Sequence, residues 1–210
     1  MPQKTKLKKT TPEQLIDVGQ SLFAEKGFAA TTVQDIAKRA KVNVSLISYY
    51  FKGKEGLFRQ CVARAATSRL EVATNILVTP KDIHEFKVRI EMFTDEMLTY
   101  QVENPSVCTI LHRDLHTEME ILGDIFEDTL LKAFNTFVTF IAASKDLKIL
   151  ASWIDPELTA SNFYAFIFHL GRSQEISAKY FGKTLKDASY RQHVKEHLIK
   201  MTLEGILNDK

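Results

Sequence analysis

The sequence predicts an all-α fold, an N-terminal three-helix bundle followed by a larger helical domain, with about nine helices in total. Apolar residues recur every three or four positions over most of the 210-residue chain, as they do on one face of a helix. Threonines stand at predicted helix starts, and Gly or Pro stands at several predicted ends. No long stretch alternates apolar and polar residues, which argues against strands.

The first predicted helix begins at Thr11-Pro12-Glu13-Gln14, which reads as a capping box with proline at its first position. It ends at Gly27. A second helix follows, with Thr31 and Thr32 as candidate N-caps and Asp35 three residues after Thr32. Its apolar face has helical spacing and consists of Val33, Ile36, Ala37 and Ala40.

A three-residue interruption, Lys41-Val42-Asn43, separates this helix from a short third one, about Val44 to Tyr50. That spacing is typical of a helix-turn-helix. Ile47 and Phe51 are four residues apart and are predicted to face inward. The opposite face has small and aromatic side chains without an acid, and it can enter a groove of DNA; it consists of Val44, Ser45, Ser48 and Tyr49.

The later helices are predicted from the same periodicity and from prolines. They span about 54–77, ending before Pro80, then 81–102, which Asn104-Pro105 terminates. Further helices are predicted at 106–120 and 122–143. After a loop at 144–155, the eighth and ninth helices span about 156–181 and 189–207.

The N-terminal residues resemble the TetR family of transcriptional regulators over about the first 60 positions. The motifs that carry the resemblance are Phe23-AEK-Gly27-Phe28, Thr31-Thr32-VQD-Ile36-Ala37-KR-Ala40, Lys41-Val42-Asn43 and Ile47-Ser48-Tyr49-Tyr50-Phe51-KG-Lys54-Glu55-G-Leu57. Three residues depart from the family's usual pattern: Lys41 stands in place of a turn glycine, Asn43 in place of a turn serine, and Ser48 where tyrosine is frequent.

The resemblance implies a DNA-binding domain at 1–53 and a ligand-binding and dimerisation domain at 54–210. Residues 1–10 are expected to form a disordered basic arm. The implied function is that of a repressor, not an enzyme, which binds a palindromic operator as a homodimer and is released by a small molecule. Recognition helices of this size read few base pairs, so two half-sites about 34–36 Å apart are expected.

Position and resemblance together predict the DNA contacts. Val44, Ser45 and Ser48 are candidates for base contacts, because the N-terminal side of a recognition helix faces base edges. Tyr49, Tyr50 and Thr32 are candidates for phosphate contacts through hydroxyl or backbone donors. Lys54 is expected to bind phosphate together with the free N–H groups at the start of the fourth helix.

The resemblance places the dimer interface on the eighth and ninth helices. Its candidate residues are Phe163, Ile167, Leu170, Gly171, Val194, Leu198, Met201 and Leu203, although each stripe equally suits the core of one subunit. An apolar or aromatic effector is expected in the C-terminal domain, with candidate contacts Phe93, Met97, Leu111, His112, Leu115, Phe126, Phe134, Phe163 and Phe166. For each of them, ordinary core packing is the simpler interpretation.

Charge is divided unevenly along the chain. Residues 1–70 contain 13 Lys or Arg against 5 Asp or Glu, whereas residues 71–210 contain 15 against 21. This asymmetry is typical of a nucleic-acid-binding end joined to a different far end. Cys61 and Cys108 do not form a disulfide framework, and no apolar segment is long enough for a bilayer, so a cytoplasmic location without membrane contact is expected.

One alternative function remains open at this stage. His193, Glu196 and His197 match the H-x-x-E-H spacing of a zinc hydrolase, in which two imidazoles one turn apart hold zinc beside a glutamate base. His112 and His116 have the same separation of four residues. Such spacings arise by chance on long helices, and no third ligand is evident, so no cofactor or metal is predicted.

Overall fold

The structure, a computed structural model, describes residues 10–206, with side chains described as far as Met201. Its regular elements are helices, as predicted. They are α1 (Thr11–Ala30), α2 (Val33–Ala40), α3 (Ser45–Phe51), α4 (Lys54–Ile76), α5 (Ile83–Glu103), α6 (Pro105–Asp114), α7 (Met119–Ile125), a π-helical segment (Phe126–Leu130), α8 (Leu131–Asp146), α9 (Pro156–Arg172), α10 (Gln174–Phe181) and α11 (Ala188–Ile206). The predicted basic arm, residues 1–10, lies outside the described residues except for Thr10.

Local signals set the ends of the first two helices. The capping box of α1 is formed by Thr10, not Thr11 as predicted, because the Thr10 N–H and hydroxyl both donate to the Glu13 carboxylate, at 2.8 and 2.9 Å. Thr32 caps α2, accepting the Asp35 N–H at 3.1 Å. Thr31 is buried and instead donates to the Gly27 carbonyl of α1, at 2.7 Å.

Several predicted helix bounds need correction. A kink at Gly27, with φ of 84°, is followed by a short extension of α1 to Ala30. The helix predicted at 106–120 ends at Asp114, and the next begins at Met119 rather than 122. The helix predicted at 156–181 is divided at Ser173, where ψ is 4°. At the next residue, the side-chain oxygen of Gln174 accepts a hydrogen bond from the Leu185 N–H.

Two apolar cores lie along α4, one near each end. The first packs α1, α2 and α3 against the N-terminal half of α4, including Leu57, Phe58 and Val62. The second gathers the end of α4, at Ala73 and Ile76, with α5, α8, α9 and α11. Because one helix belongs to both cores, it connects the N-terminal unit mechanically to the rest of the chain. The domain division at residues 53 and 54 stays a prediction.

Arg59 on α4 fixes α7 beside the N-terminal unit. Its guanidinium donates to both carboxylate oxygens of Asp124, at 2.8 and 2.5 Å, and to the Ile121 carbonyl. Hydrogen bonds from Arg59 hold the pKa of Asp124 at about 2, below its ordinary value of 3.8. Since the carboxylate form is the one that binds Arg59, this contact stabilises the fold only while Asp124 is ionised.

This pair predicts a defined pH dependence of stability. The lowered pKa of Asp124 means that its contribution is present above about pH 4, the unfolded value, and is lost as the pH falls towards 2. We expect Asp124→Asn and Arg59→Met each to flatten the free energy of unfolding over that pH window, as measured by urea denaturation. If the free energy of unfolding of the double variant depended less on pH than that of either single variant, the result would contradict the pairing.

Candidate nucleic-acid interface and ligand cavity

The short helix α3 is held by burial on one side and by a shaped turn at its start. Ile47 and Phe51 are buried, as predicted, against the first core. Lys41 ends α2 in the left-handed region at φ 56°, which glycine adopts more readily. Asn43 closes the turn, because its side-chain oxygen accepts the Ser45 N–H at 2.9 Å and the Ser45 hydroxyl at 2.8 Å. Asn43, which stands where the family pattern has serine, thus forms an Asx turn at the start of α3.

Ion pairs hold α2 against α1. Arg39 donates two hydrogen bonds to Glu25, at 2.7 and 3.0 Å, and Lys26 donates to Asp35 at 3.1 Å. The Gln14 amide adds a hydrogen bond of 2.8 Å to the Ala40 carbonyl. The N-terminal helices therefore present a preformed surface rather than one that must order on contact.

The predicted DNA-contact residues are exposed, with one exception. The exposed ones are Thr32, Val44, Ser45, Ser48, Tyr49 and Tyr50, and the exposed fraction of Tyr49 is 73%. Helix α3 has no acidic residue to repel a phosphate. Since the Ser45 hydroxyl donates to Asn43, its oxygen is left mainly as an acceptor. That preference restricts Ser45 to base-edge donors.

Lys54 is the exception, because its side chain has a structural role. Its ammonium donates to the Phe28 carbonyl at 3.0 Å and lies 4.3 Å from the centre of the Phe28 ring. The Lys54 ammonium thus provides a hydrogen-bond donor for carbonyls at the end of α1. The phosphate contact of the Lys54 side chain stays a prediction, and it competes with these contacts.

A cavity of about 730 Å³ lies among α4, α5, α6, the π-helical segment, α8 and α9. Six of the nine predicted effector contacts line it: Met97, Leu111, His112, Leu115, Phe126 and Phe134. Phe93, Phe163 and Phe166 do not line it, and their contact with an effector stays a prediction. The rings of Phe93 and Phe163 stack in the second core, 5.7 Å apart, and Phe166 packs against that core.

Sequence reasoning missed most of the remaining wall, which consists of Arg69, Tyr100, Gln101, Cys108, His116, Leu130, Leu131, Ala133, Ser161, Tyr164, Ala165, Phe168, His169 and Arg172. Burial raises the pKa of Tyr100 and of Cys108 to about 12 and raises the pKa of Tyr164. Burial, and secondarily the charge of Arg172, lowers the pKa of His112. At these four wall residues, burial therefore disfavours the charged form.

The N-terminal unit is similar to known regulatory proteins. Residues 15–61 match the family model of bacterial regulatory proteins, tetR family. The probable HTH-type transcriptional regulator YttP of Bacillus subtilis is 30% identical over 129 residues, which is 60% of each chain. The chain thus spans about 60% of the length of the curated relative that it matches.

Solved structures extend the likeness to the whole fold. The fatty acid degradation regulator FadR from Bacillus halodurans has a TM-score of 0.74 at 16% identity, covering 95% of this chain and 98% of that one. SmeT in complex with triclosan has a TM-score of 0.71 at 18% identity, covering 96% and 93%. SmeT is the repressor of the Stenotrophomonas maltophilia multidrug efflux pump SmeDEF. At these identities the likeness shows the fold alone.

The dimer residues expected from the TetR resemblance are mostly internal. Phe163, Ile167, Val194 and Leu198 are buried in the core of one chain, and Leu170 packs against it. Gly171 approaches Gln101 of the same chain so closely that a Cβ there would lie 2.3 Å from the Gln101 oxygen. Of the predicted set, Met201 is exposed, and the Leu203 side chain lies outside the described residues.

The zinc-hydrolase alternative finds no support in the placement of its residues. His193 and His197 lie exposed on α11 with ring centres 6.4 Å apart, and Glu196 accepts a hydrogen bond from Gln192 at 2.7 Å. Among the described residues, no three His, Cys, Asp or Glu side chains are placed to hold a metal ion. Likewise, no helix between residues 10 and 206 combines the length and apolarity needed to cross a membrane.

Proposed function

We propose that this chain is a transcriptional repressor that binds a palindromic operator as a homodimer and releases it when a small molecule occupies the cavity. The observation that carries the proposal is the exposed, acid-free face of α3, held on a buried and ion-paired frame within a TetR-family segment. Such a face fits the major groove, where a recognition helix contacts base edges through its N-terminal side.

Direct base readout by this helix is modest. Val44 provides an apolar contact for a thymine methyl group, and Ser45 and Ser48 provide single hydrogen bonds, none of which equals a bidentate arginine–guanine pair. Specificity then depends partly on DNA shape and on two symmetric half-sites. A homodimer presents one recognition helix to each half-site and therefore binds the operator more tightly than a single copy does.

The dimer surface that we propose lies on α9, α10 and α11, which correspond to the two helices expected from the sequence. Support comes from exposed apolar side chains that the buried core does not use; they are Leu158, Ile176, Tyr180, Phe181 and Met201. Exposed apolar side chains that form a patch on a folded chain are typical of an interface. This assignment replaces Phe163, Ile167, Val194 and Leu198 as the contact residues.

Effector release follows from how the cavity meets the N-terminal unit. Helix α6 lines the cavity with Leu111 and His112, while its neighbouring Arg113 donates to the Phe23 and Ala24 carbonyls of α1, at 2.6 and 2.9 Å. A ligand that displaces α6 or α4 therefore displaces the frame of α3. Coupling of about 1–3 kcal/mol is sufficient to weaken operator binding between 5- and 150-fold.

Selection from a randomised DNA library tests this function. We expect the wild-type protein to enrich an inverted repeat, and Ser48→Ala to change base preference at one position of each half-site by about 1 kcal/mol, since one hydrogen bond is lost. The control, Thr67→Ala, removes an exposed hydroxyl of α4 outside α3 and should leave the repeat unchanged. Enrichment of no repeat by the wild-type protein would refute the proposal.

A further inference from the structure

The guanidinium of Arg69 lies in the cavity wall without the partners that a buried charge requires. Its Nε and Nη1 atoms are buried and have no hydrogen-bond partner, the two such side-chain atoms in the part of the chain that the structure describes. Nη2 donates to the Ser68 hydroxyl at 3.2 Å. The ring of Tyr100 covers one face of the guanidinium, with its centre 3.7 Å from Cζ. The tyrosine ring thus covers one face of the guanidinium, whereas two of the nitrogen atoms on its edge have no hydrogen-bond partner.

No carboxylate of the cavity wall balances this charge. The ionisable residues of the wall are basic or weakly acidic: besides Arg69 they are Tyr100, Cys108, His112, His116, Tyr164, His169 and Arg172. Glu96 is exposed, and it attracts Arg69 electrostatically without an ion pair or hydrogen bond to it within the described residues. Burial lowers the pKa of Arg69, yet arginine stays protonated in proteins. The cavity wall therefore contains a guanidinium to which no carboxylate is bonded among the described residues.

Most of the wall surface is apolar. Its apolar side chains include Leu111, Leu115, Phe126, Leu130 and Phe134, which lie on α6 and just after it, on the π-helical segment and on α8. A volume of about 730 Å³ is within the range that holds a small-molecule ligand. A ligand matched to this wall has a long apolar body and one anionic end.

We infer that the effector is an amphipathic carboxylate whose apolar body lies against the aliphatic and aromatic wall and whose acid group binds Arg69. The unpartnered Nε and Nη1 of Arg69 are closed to solvent in this structure, so the guanidinium turns towards the cavity to bind the acid. This inference rests on the proposed function of the cavity. A carboxylate accepts two N–H bonds from a guanidinium, and such charge-assisted bonds strengthen in a poorly hydrated site. One buried guanidinium matches a single negative charge better than the double charge of a phosphate monoester.

The position of Arg69 also explains how this ligand reaches the recognition helix. Arg69 lies on α4 between Ala66, which belongs to the first core, and Ala73, which belongs to the second. An anion bound there is attached to the helix whose first residues follow α3 directly. Binding therefore biases the position of α4, and no separate relay is needed.

Calorimetry with a matched ligand pair tests the inference. The probes are dodecanoate and dodecanol, which share an alkyl chain and differ in charge. We expect dodecanoate to bind the full-length protein at least about 30-fold more tightly than dodecanol, because breaking a buried charged pair costs more than one decade of affinity. In Arg69→Met the two affinities should converge, through weaker dodecanoate binding and unchanged dodecanol binding. Arg64→Met, an exposed arginine on the same helix and outside the cavity wall, should keep the wild-type preference.

The outcomes separate this inference from the function on which it rests. Equal affinities in the wild-type protein, no dodecanoate binding, or a preference that persists in Arg69→Met would each overturn it. Arg69→Gln serves as a second neutral variant, and thermal unfolding confirms that each variant is folded. Operator binding without ligand is measured on the same preparations. An operator-binding protein that fails the calorimetric test refutes the ligand class alone, whereas loss of operator recognition in the wild type refutes the proposed function.

Discussion

Replacing Phe58 with alanine is expected to lower the free energy of unfolding by about 3–5 kcal/mol, the range for truncating a buried phenylalanine. Phe58 is fully buried on α4, with its ring 5.0 Å from that of Phe23 and 4.7 Å from that of Phe28. The substitution leaves a hole between α1 and α4 that rigid helices fill only partly. The measurement is chemical denaturation followed by far-ultraviolet circular dichroism.

Met92→Ala provides the control, because it truncates an apolar side chain that is 52% exposed on α5 and lies outside the proposed dimer surface. It should lower the free energy of unfolding much less than Phe58→Ala, since it leaves no buried cavity. A loss of less than about 1 kcal/mol for Phe58→Ala would mean that the three rings do not form a tightly packed junction.

Replacing Arg113 with methionine should cost roughly 3 kcal/mol, at the lower end of the range for breaking a buried ion pair. The Arg113 side chain bonds both carboxylate oxygens of Asp114, at 2.6 and 3.0 Å, and the carbonyls of Phe23 and Ala24. Asp114 is buried, so its carboxylate would lose its guanidinium where water replaces it poorly. Arg113 itself is 41% exposed, which moderates the cost.

A double variant distinguishes an ion-pair effect from a packing effect. Adding Asp114→Asn to Arg113→Met removes the unpaired charge, so we expect part of the lost stability to return in denaturant titrations. Arg39→Met, which removes an arginine that pairs with the exposed Glu25, should change stability much less. Equal losses in Arg113→Met and Arg39→Met would contradict the role of Arg113 between α6 and α1.

The N-terminal unit was predictable from sequence because its signals are local. The cap at Thr32, the left-handed Lys41 and the inward pair Ile47 and Phe51 depend on spacings of at most four residues. Even so, Thr10 rather than Thr11 caps α1, since neighbouring threonines offer equivalent caps. The Lys54 contact with the Phe28 carbonyl joins residues 26 positions apart, and no local pattern reports it.

The cavity was harder to predict because apolar periodicity does not separate a ligand wall from a packed core. Phe134 lines the cavity and Phe163 fills the core, although both stand on equally amphipathic helices. Arg69 did leave a signal. It continues the buried face of α4 set by Val62, Ala66 and Ala73, where a charged residue is out of place unless something binds it.

The central claim is that two copies of the N-terminal unit read one inverted DNA sequence, and footprinting across genomic fragments at moderate ionic strength tests it most directly. We expect a protected inverted repeat whose half-sites are centred about 34–36 Å apart, or a multiple of a helical turn. Protection should weaken when dodecanoate is added. Absence of any protected repeat, or protection of single unpaired half-sites at saturating protein, would contradict the account.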